Sequence, residues 1–403
     1  ELISDVVAQG SSALRKQAER LDNVTQYEIR VPAEHIVEAV EGLSSALRSS
    51  LETAIARVRL GSTAQVPAQV ETEIAPGARI TQRWQPVERV GLYVPGGKAV
   101  YPSSVIMNVV PAQVAGVTSI ALASPPQAAF GGRIHPTILA AAGLLGITEI
   151  YAMGGAGAIG AFAHGVPDLG LEPVNVVTGP GNLYVAAAKR VVRGTVGIDS
   201  EAGPTEILVI ADGSAQARLV AADLISQAEH DELASAVLVT DSIELLEEVA
   251  AHIHVQAADT SHAERVAASL SGVQSALVLV DDLSVAVDFS NAYGPEHLEI
   301  HTSRNDELVS LITNAGAIFL GDYTPVSLGD YSAGSNHVLP TAGQALFSSG
   351  LGAYTFLRPQ QVIEYDKAAL REVAQGIRVL SDDEDLPAHG DAVDIRFSSE
   401  DNK

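Results

Sequence analysis

The sequence predicts an α/β protein with two parallel sheets, and three observations carry that reading. From Val87 onward short apolar runs alternate with helical segments, and the runs are continuously apolar, so both faces of each strand must be covered. The 35 glycines recur where such runs end, the place of strand-to-helix turns. The 403 residues exceed what one hydrophobic core supports, which predicts two main domains with appendages.

In order along the chain, residues 1–60 read as helices. Leu14, Ala18 and Leu21 recur at helical spacing, Pro32 heads a second helix running to Gly42, and a third spans Ser44 to Leu60. The chain opens already in helical period, which predicts a natural start further upstream. Residues 61–86 are polar with alternating apolar positions and predict an extended hairpin. Strands are expected at Val90–Val94, Ile120–Ala123, Ile147–Met153, Val174–Thr178, Ile207–Ala211, Val237–Thr240, Ala276–Val280, Leu298–His301 and Ala317–Leu320. Helices should separate them at about 103–115, 135–145, 157–164, 181–193, 216–232, 243–252, 261–270, 283–291 and 304–314, with the two sheets dividing near residue 206. Gly321–Arg358 reads as loop. Two short helices, 367–377 and 383–398, close the chain around an acidic segment, Ser381–Gly390.

Composition excludes several function classes. Hydrophobic residues at 47% and charged residues at 18% describe a packed globular chain. A net charge of −25 opposes binding to polyanions, and 4% aromatic residues provide no stacking platform for single strands, so no nucleic-acid partner is expected. No apolar run reaches the ~18 residues that span a bilayer, and no membrane partner is expected. With no cysteine, disulfides, thiolate metal sites and thiolate catalysis are excluded, a composition that fits a cytoplasmic protein.

Three glycine turns invite a ligand. Gly155-Ala156-Gly157-Ala158-Ile159-Gly160 follows a strand and opens a helix, the context of a dinucleotide fingerprint, although the acidic residue expected after the next strand is missing. Close packing in an alanine-rich unit is the other reading. Tyr93-Val94-Pro95-Gly96-Gly97 and Gly179-Pro180-Gly181-Asn182 end two further strands, where ligands of open α/β sheets settle and where ordinary turns also occur.

The polar clusters point to metal and proton chemistry. Gln227 and His230 stand three apart on a helix, so their donors leave one face and suit zinc or manganese; an exposed pair is the plainer alternative. Asp330, in the polar loop Gly329–His337, offers an anionic third ligand or an ordinary capped turn. His389 offers a fourth ligand or is a solvated tail histidine. Glu296-His297, placed where a turn enters an apolar strand, suits paired acid–base work, with a surface ion pair as the alternative.

Six separated stretches together resemble the histidinol dehydrogenase family, including its actinobacterial members. They are Arg89–Gly97, Gly179–Asn182, Ala202–Glu206, Ser226–His230, Gly294–Glu299 and the loop from Gly329-Asp330-Tyr331 through Asn336–Pro340. The resemblance implies oxidation of L-histidinol through L-histidinaldehyde to L-histidine with two NAD⁺, the end of histidine biosynthesis. It implies one Zn²⁺ per site held by Gln227, His230, Asp330 and His389. The last comes from the partner subunit's tail, so an intertwined homodimer is expected. Thr205 and Glu384 match substrate contacts, joined by the metal ligands, His297 and His337. Tyr93 and Asn182 match cofactor contacts, and Gly157 stands where the family usually has a glutamine that touches NAD. The family fold implies two incomplete Rossmann-like domains resembling aldehyde dehydrogenases. The expected division is 1–92 helical, 93–206 NAD-associated, 207–350 metal-binding and catalytic, and 351–403 a tail completing the partner's site. The family's stretch ahead of Glu1 is missing here.

The mechanism expected on this basis makes zinc a template and His297 the base for both oxidations. Glu296 activates the water that hydrates the aldehyde, since no thiol is available to form a thiohemiacetal. Two rival readings are a related zinc-dependent NAD dehydrogenase of another small amino or hydroxy alcohol, and a catalytically silent metal-binding scaffold motivated by Gly157.

Overall fold

The continuous apolar runs become parallel strands whose residues are buried on both faces, as in Glu206–Ala211 and Ser235–Thr240. The computed structural model describes residues 1–96, 100–201 and 203–398; Gly97 and Ala202 of the quoted motifs lie outside the described residues.

In chain order the helices are α1 (Leu2–Gln9), α2 (Ser11–Asp22), α3 (Ala33–Glu41), α4 (Ser45–Ala64), α5 (Pro102–Ala115), α6 (Pro136–Leu144), α7 (Gly155–His164), α8 (Leu183–Val192), α9 (Ala217–Ala228), α10 (Ile243–Ala258), α11 (Ala263–Leu270), α12 (Leu283–Tyr293), α13 (Asn305–Val309), α14 (Val326–Tyr331), α15 (Lys367–Asp383) and α16 (Pro387–Asp394). The strands are β1 (Val70–Ala75), β2 (Ala78–Pro86), β3 (Arg89–Tyr93), β4 (Ser119–Ser124), β5 (Ile150–Ala152), β6 (Val176–Thr178), β7 (Gly197–Ile198), β8 (Glu206–Ala211), β9 (Ser235–Thr240), β10 (Ala276–Leu279), β11 (His297–His301), β12 (Ala317–Leu320) and β13 (Leu357–Tyr365).

Contacts divide the chain into two compact units, Glu1–Val66 with Val87–Phe356, and Pro67–Pro86 with Leu357–Lys403. The first unit holds two five-stranded parallel sheets, ordered β5-β4-β3-β6-β7 and β10-β9-β8-β11-β12. Each sheet starts at its central strand, grows to one side, then reverses to the other. The reversal places a topological switch point between β3 and β6, and a second between β8 and β11. Ser104–Pro111 of α5 are buried throughout, so this helix is covered on all sides, whereas α2 and α4 are amphipathic and bury one face.

The second unit is a three-stranded antiparallel sheet, β1-β2-β13, together with α15 and α16. The hairpin expected between 61 and 86 is β1–β2, turned at Gly77 with φ of 80°. Its third strand is not expected from sequence, which ends a loop at Arg358 and assigns no element before 367. Leu357-Arg-Pro-Gln-Gln-Val-Ile-Glu-Tyr365 is exposed along most of its length and carries Pro359, so it shows no burial alternation. Only its register against β2, from Leu357↔Pro86 to Tyr365↔Ala78, makes it a strand. Helix α15 also runs past the expected stop at 377, through Gly376, to Asp383.

The corner between α15 and α16 is built by Arg378. Its guanidinium bonds Asp391 at 2.6 Å, Asp394 at 3.1 Å and the Pro387 carbonyl at 3.2 Å, while the Leu386 N–H donates to the Ser381 carbonyl at 2.7 Å. Gly390 is required beside it, because a Cβ there would lie 2.8 Å from both Arg378 and Ser381. Glu384 caps α15 and His389 lies in the first turn of α16, both exposed on this corner.

Candidate active site

A cavity of about 470 Å³ opens at the carboxyl ends of β3 and β6, the switch point of the first sheet, and at the amino ends of β8 and β11. Tyr93, Gly96, Gly181, Asn182, Thr205, His230, Glu296, His297, Asp330 and His337 all line it. Residues separated by more than 200 positions thus share one space.

Glu296 and His297 enter from the start of β11. Gly294, at φ of 60°, ends α12 in the left-handed region and turns the chain into the strand. Gly316 lets the neighbouring backbone close on this turn, for a Cβ there would lie 2.5 Å from the Glu296 carbonyl. Both side chains are buried, which removes the reading as a surface ion pair. The Glu296 carboxylate accepts from the Thr205 hydroxyl at 2.5 Å and from the Glu206 N–H at 2.9 Å. Burial raises the carboxyl above its ordinary pKa, opposed by His297, Thr205 and the Glu206 amide. Such a group takes up a proton more readily than a solvated carboxylate.

His297 Nδ1 lies 3.0 Å from the Glu206 carbonyl and 3.5 Å from Glu296 Oε2. A carbonyl only accepts, so Nδ1 carries the proton and Nε2 keeps its lone pair, the form a general base needs. His337 is held the same way, Nδ1 donating to the Asp330 carbonyl at 3.2 Å and Nε2 facing Ser104 Oγ at 3.1 Å. Burial lowers its pKa and keeps it neutral.

The metal candidates arrive on two short-range devices. Gln227 lies in the last turn of α9, and His230 follows in the turn where its N–H bonds the Gln227 carbonyl at 3.2 Å. Asp330 sits in α14; the sequence suggested a loop there, but Pro325 starts a helix of six residues. The Gln227 amide nitrogen donates to Thr205 Oγ1, whose own proton goes to Glu296. That order fixes the amide so that Oε1 points elsewhere, and this oxygen is buried without a hydrogen-bond partner. A buried carbonyl left so costs ~1–3 kcal/mol. A cation would satisfy it, and amide oxygen, imidazole and carboxylate are donor types that suit zinc. Glu384 and His389, by contrast, belong to the second unit and are exposed.

The glycine turns divide into two kinds. Gly179 has φ of 125°, and a Cβ there would collide with the Tyr93 backbone, so only glycine lets β6 leave beside β3. The Gly179 peptide is clamped by a buried ion pair, its N–H on Asp199 at 2.8 Å and its carbonyl on Lys189 Nζ at 3.0 Å. Asn182 then caps α8, Oδ1 accepting from the N–H groups of Tyr184 and Val185. Lys189→Met strands Asp199 as a lone buried charge, and urea denaturation should show a loss of about 3–5 kcal/mol.

In the fingerprint-like stretch, Gly157 faces Gln17 and Leu14 of α2, and a Cβ on Gly160 would lie 3.1 Å from Ile3 of α1. These glycines seat α7 against α1 and α2, and they form no part of the cavity lining. Tyr93 reaches α7 through its hydroxyl, which accepts from the Gly155 N–H at 3.1 Å; burial pushes its pKa to about 12.

Two contributors were not singled out from sequence. Glu206 supplies backbone groups to both Glu296 and His297, and burial pushes its own carboxyl up to about 7. It lay within a quoted motif, but the role belongs to its main chain. Ser104, the partner of His337, belongs to no motif and carried no signal.

Comparison with known proteins agrees with this geometry. The family profile described as histidinol dehydrogenase matches residues 1–397. A histidinol dehydrogenase of Leifsonia xyli subsp. xyli is 68% identical over 397 residues, covering 98% of this chain and 91% of that protein. The crystal structure of histidinol dehydrogenase from Elizabethkingia anophelis superposes with a TM-score of 0.94 at 34% identity, over 99% of this chain and 91% of that one. An acetylating aldehyde dehydrogenase from Geobacillus thermoglucosidasius, 15% identical with a TM-score of 0.51 over 90% of this chain and 91% of its own, shares the fold alone, as expected from the paired Rossmann-like sheets. On profile, sequence and structure together, the chain belongs to the histidinol dehydrogenase family.

Proposed function

We propose that this chain oxidises L-histidinol through L-histidinaldehyde to L-histidine, using two NAD⁺ and one zinc ion per site. Family membership supports the reaction. The observation that carries the site assignment is the buried Glu296–His297 pair opening into the cavity shared by His230, Asp330 and the turns at Gly96 and Gly181. Gln227, His230 and Asp330 are the ligands from one chain, and the partner subunit's His389 completes the set. The exposure of His389 and Glu384 in a single chain supports a tail that is covered only in a homodimer.

Held by Gln227, His230, Asp330 and the partner subunit's His389, the metal would serve to orient the substrate's imidazole and amino groups. NAD⁺ would supply the hydride acceptor, and the glycine turns with exposed Leu183 and Tyr184 would hold it at the cavity. Tyr93 and Asn182 are its contacts. His297 Nε2 takes the hydroxyl proton as the carbinol C–H bond breaks. Glu296 then draws a proton from water adding to the aldehyde, and His297 serves again as the hydrate loses its second hydride. Thr205, His337 and the partner subunit's Glu384 hold the substrate. Supplied with zinc and NAD⁺, the enzyme should release two NADH per L-histidinol. A better rate with another alcohol in a small panel would favour a different substrate, and no NADH at all would favour a silent scaffold.

Gly157 is expected to weaken NAD⁺ binding. Gly157→Gln combined with Gln17→Ala, which clears the space Gln17 fills, should lower the Michaelis constant for NAD⁺ by about 5-fold, the worth of one added hydrogen bond. An unchanged constant removes Gly157 from the cofactor site.

A further inference from the structure

The second sheet has its own switch point, between the carboxyl ends of β8 and β11, and the cavity described above does not use it. Three ligand-type side chains meet there. Asp223 of α9, with Glu299 and His301 of β11, brings carboxylate and imidazole atoms within 4.8 Å of one another. Glu299 is fully buried and His301 is 3% exposed.

The cluster is built from several directions. His301 Nε2 lies 3.2 Å from Glu299 Oε2, and Glu299 Oε1 accepts from the Val326 N–H at 2.9 Å, at the start of α14. His301 Nδ1 is buried with no hydrogen-bond partner; Asp322 Oδ1 stands 3.5 Å away, and Asp322 Oδ2 takes a 2.6 Å bond from Gln216. An imidazole with one nitrogen toward a carboxylate cluster and the other toward an outer carboxylate is the arrangement that orients metal-bound histidines. Asp223 and Glu299 also oppose each other in a buried space. Burial and the Glu299 charge push Asp223 up to about 7. Burial alone would lower His301, but Glu299, Asp223 and Asp322 outweigh it and raise it. Three carboxylates, of Asp223, Glu299 and Asp322, face one imidazole here, and a cation would balance them.

We propose that Asp223, Glu299 and His301 form a second divalent-cation site, of the Mn²⁺ or Zn²⁺ class suited to two carboxylates and one imidazole. It staples the three elements that carry the candidate active site. β11 begins at His297, directly after Glu296, α9 bears Gln227 one turn beyond Asp223, and α14 bears Asp330. The ion is structural, holding α9 and α14 against the strand.

The test uses the full chain stripped with chelator and titrated with Mn²⁺, with free ion read by its paramagnetic resonance signal. In an Asp330→Asn background, which breaks the first metal set, one equivalent should still bind and raise the melting temperature. Adding Glu299→Gln or Asp223→Asn should abolish that equivalent and its thermal shift. Asp322→Asn should weaken it about 10- to 100-fold, as loss of an outer-shell partner does. If the Asp330→Asn protein binds no Mn²⁺, or binds it with unchanged affinity after Glu299→Gln, the proposal is overturned and the cluster is a proton-sharing carboxyl pair. Should the inner variants fail to fold, Asp322→Asn decides alone, since unchanged affinity there also overturns the site. The outcome is independent of whether the first set holds zinc.

Discussion

Glu296→Gln should separate the two oxidations. Glutamine keeps the shape of the side chain and an oxygen that still accepts from Thr205 and the Glu206 N–H, bonds of 2.5 and 2.9 Å in the parent. It removes only the capacity to take a proton. The alcohol step, which relies on His297 Nε2, should persist within a few-fold. The aldehyde step needs an activated water and should fall by ~10²–10⁴, the usual worth of a positioned base. Single-turnover NADH formation from histidinol and from histidinaldehyde reads the steps separately. Equal losses at both would remove Glu296 from the role of water base and leave it as a support for Thr205 and Gln227.

The second large effect concerns the tail. His389→Ala should lose most of its activity and hold zinc more weakly, because the fourth ligand is gone. Mixing it with Glu296→Gln subunits should restore activity to neither homodimer but to the heterodimer. One of its two sites then pairs an intact Glu296 with an intact His389. Random reassociation puts about a quarter of all sites in that state. Activity that stays at the level of the separate variants would place His389 and Glu296 in the same chain's site, or His389 in none. Metal content of the His389→Ala protein gives a second reading that does not depend on turnover.

The α/β architecture was legible because burial on both faces leaves a mark in every strand. β8 and β9 are apolar over their length, and nothing else in a polar-helix context looks like that. Failures came where no such mark exists. β13 is held by pairing with β2 while its side chains stay in solvent, and the two-residue β7 is too short to have a period. Asp330 was placed in a loop because Gly329 and the glycines after it hide a helix of six residues. In the glycine stretch that opens α7, spacing alone matches a phosphate turn. Gln17, Leu14 and Ile3 show that Gly157 and Gly160 also make room for α1 and α2, a packing role that spacing does not reveal.

Within the site, side chains with distinctive chemistry were readable, and their supports were not. Glu296-His297 and Gln227/His230 stand next to each other in sequence, so local geometry already confines them. Ser104 and the main chain of Glu206 matter only because β8, β11 and α5 come together. The Asp223–Glu299–His301 cluster is similar: a helix and a strand 76 positions apart at Asp223 and Glu299 meet only through sheet topology.

By itself the amino-acid order determined most strands and helices of the two parallel sheets, the exclusion of thiol chemistry, and the family. Those follow from periodicity, composition and motif, which are local. Tertiary structure alone decided which nitrogen of His297 bears a proton, that the side-chain oxygen of Gln227 is left bare, and which glycines serve packing. Each depends on atoms that the chain brings together only after the sheets have formed, where an unmet buried hydrogen bond or a steric overlap is costly enough to dictate orientation.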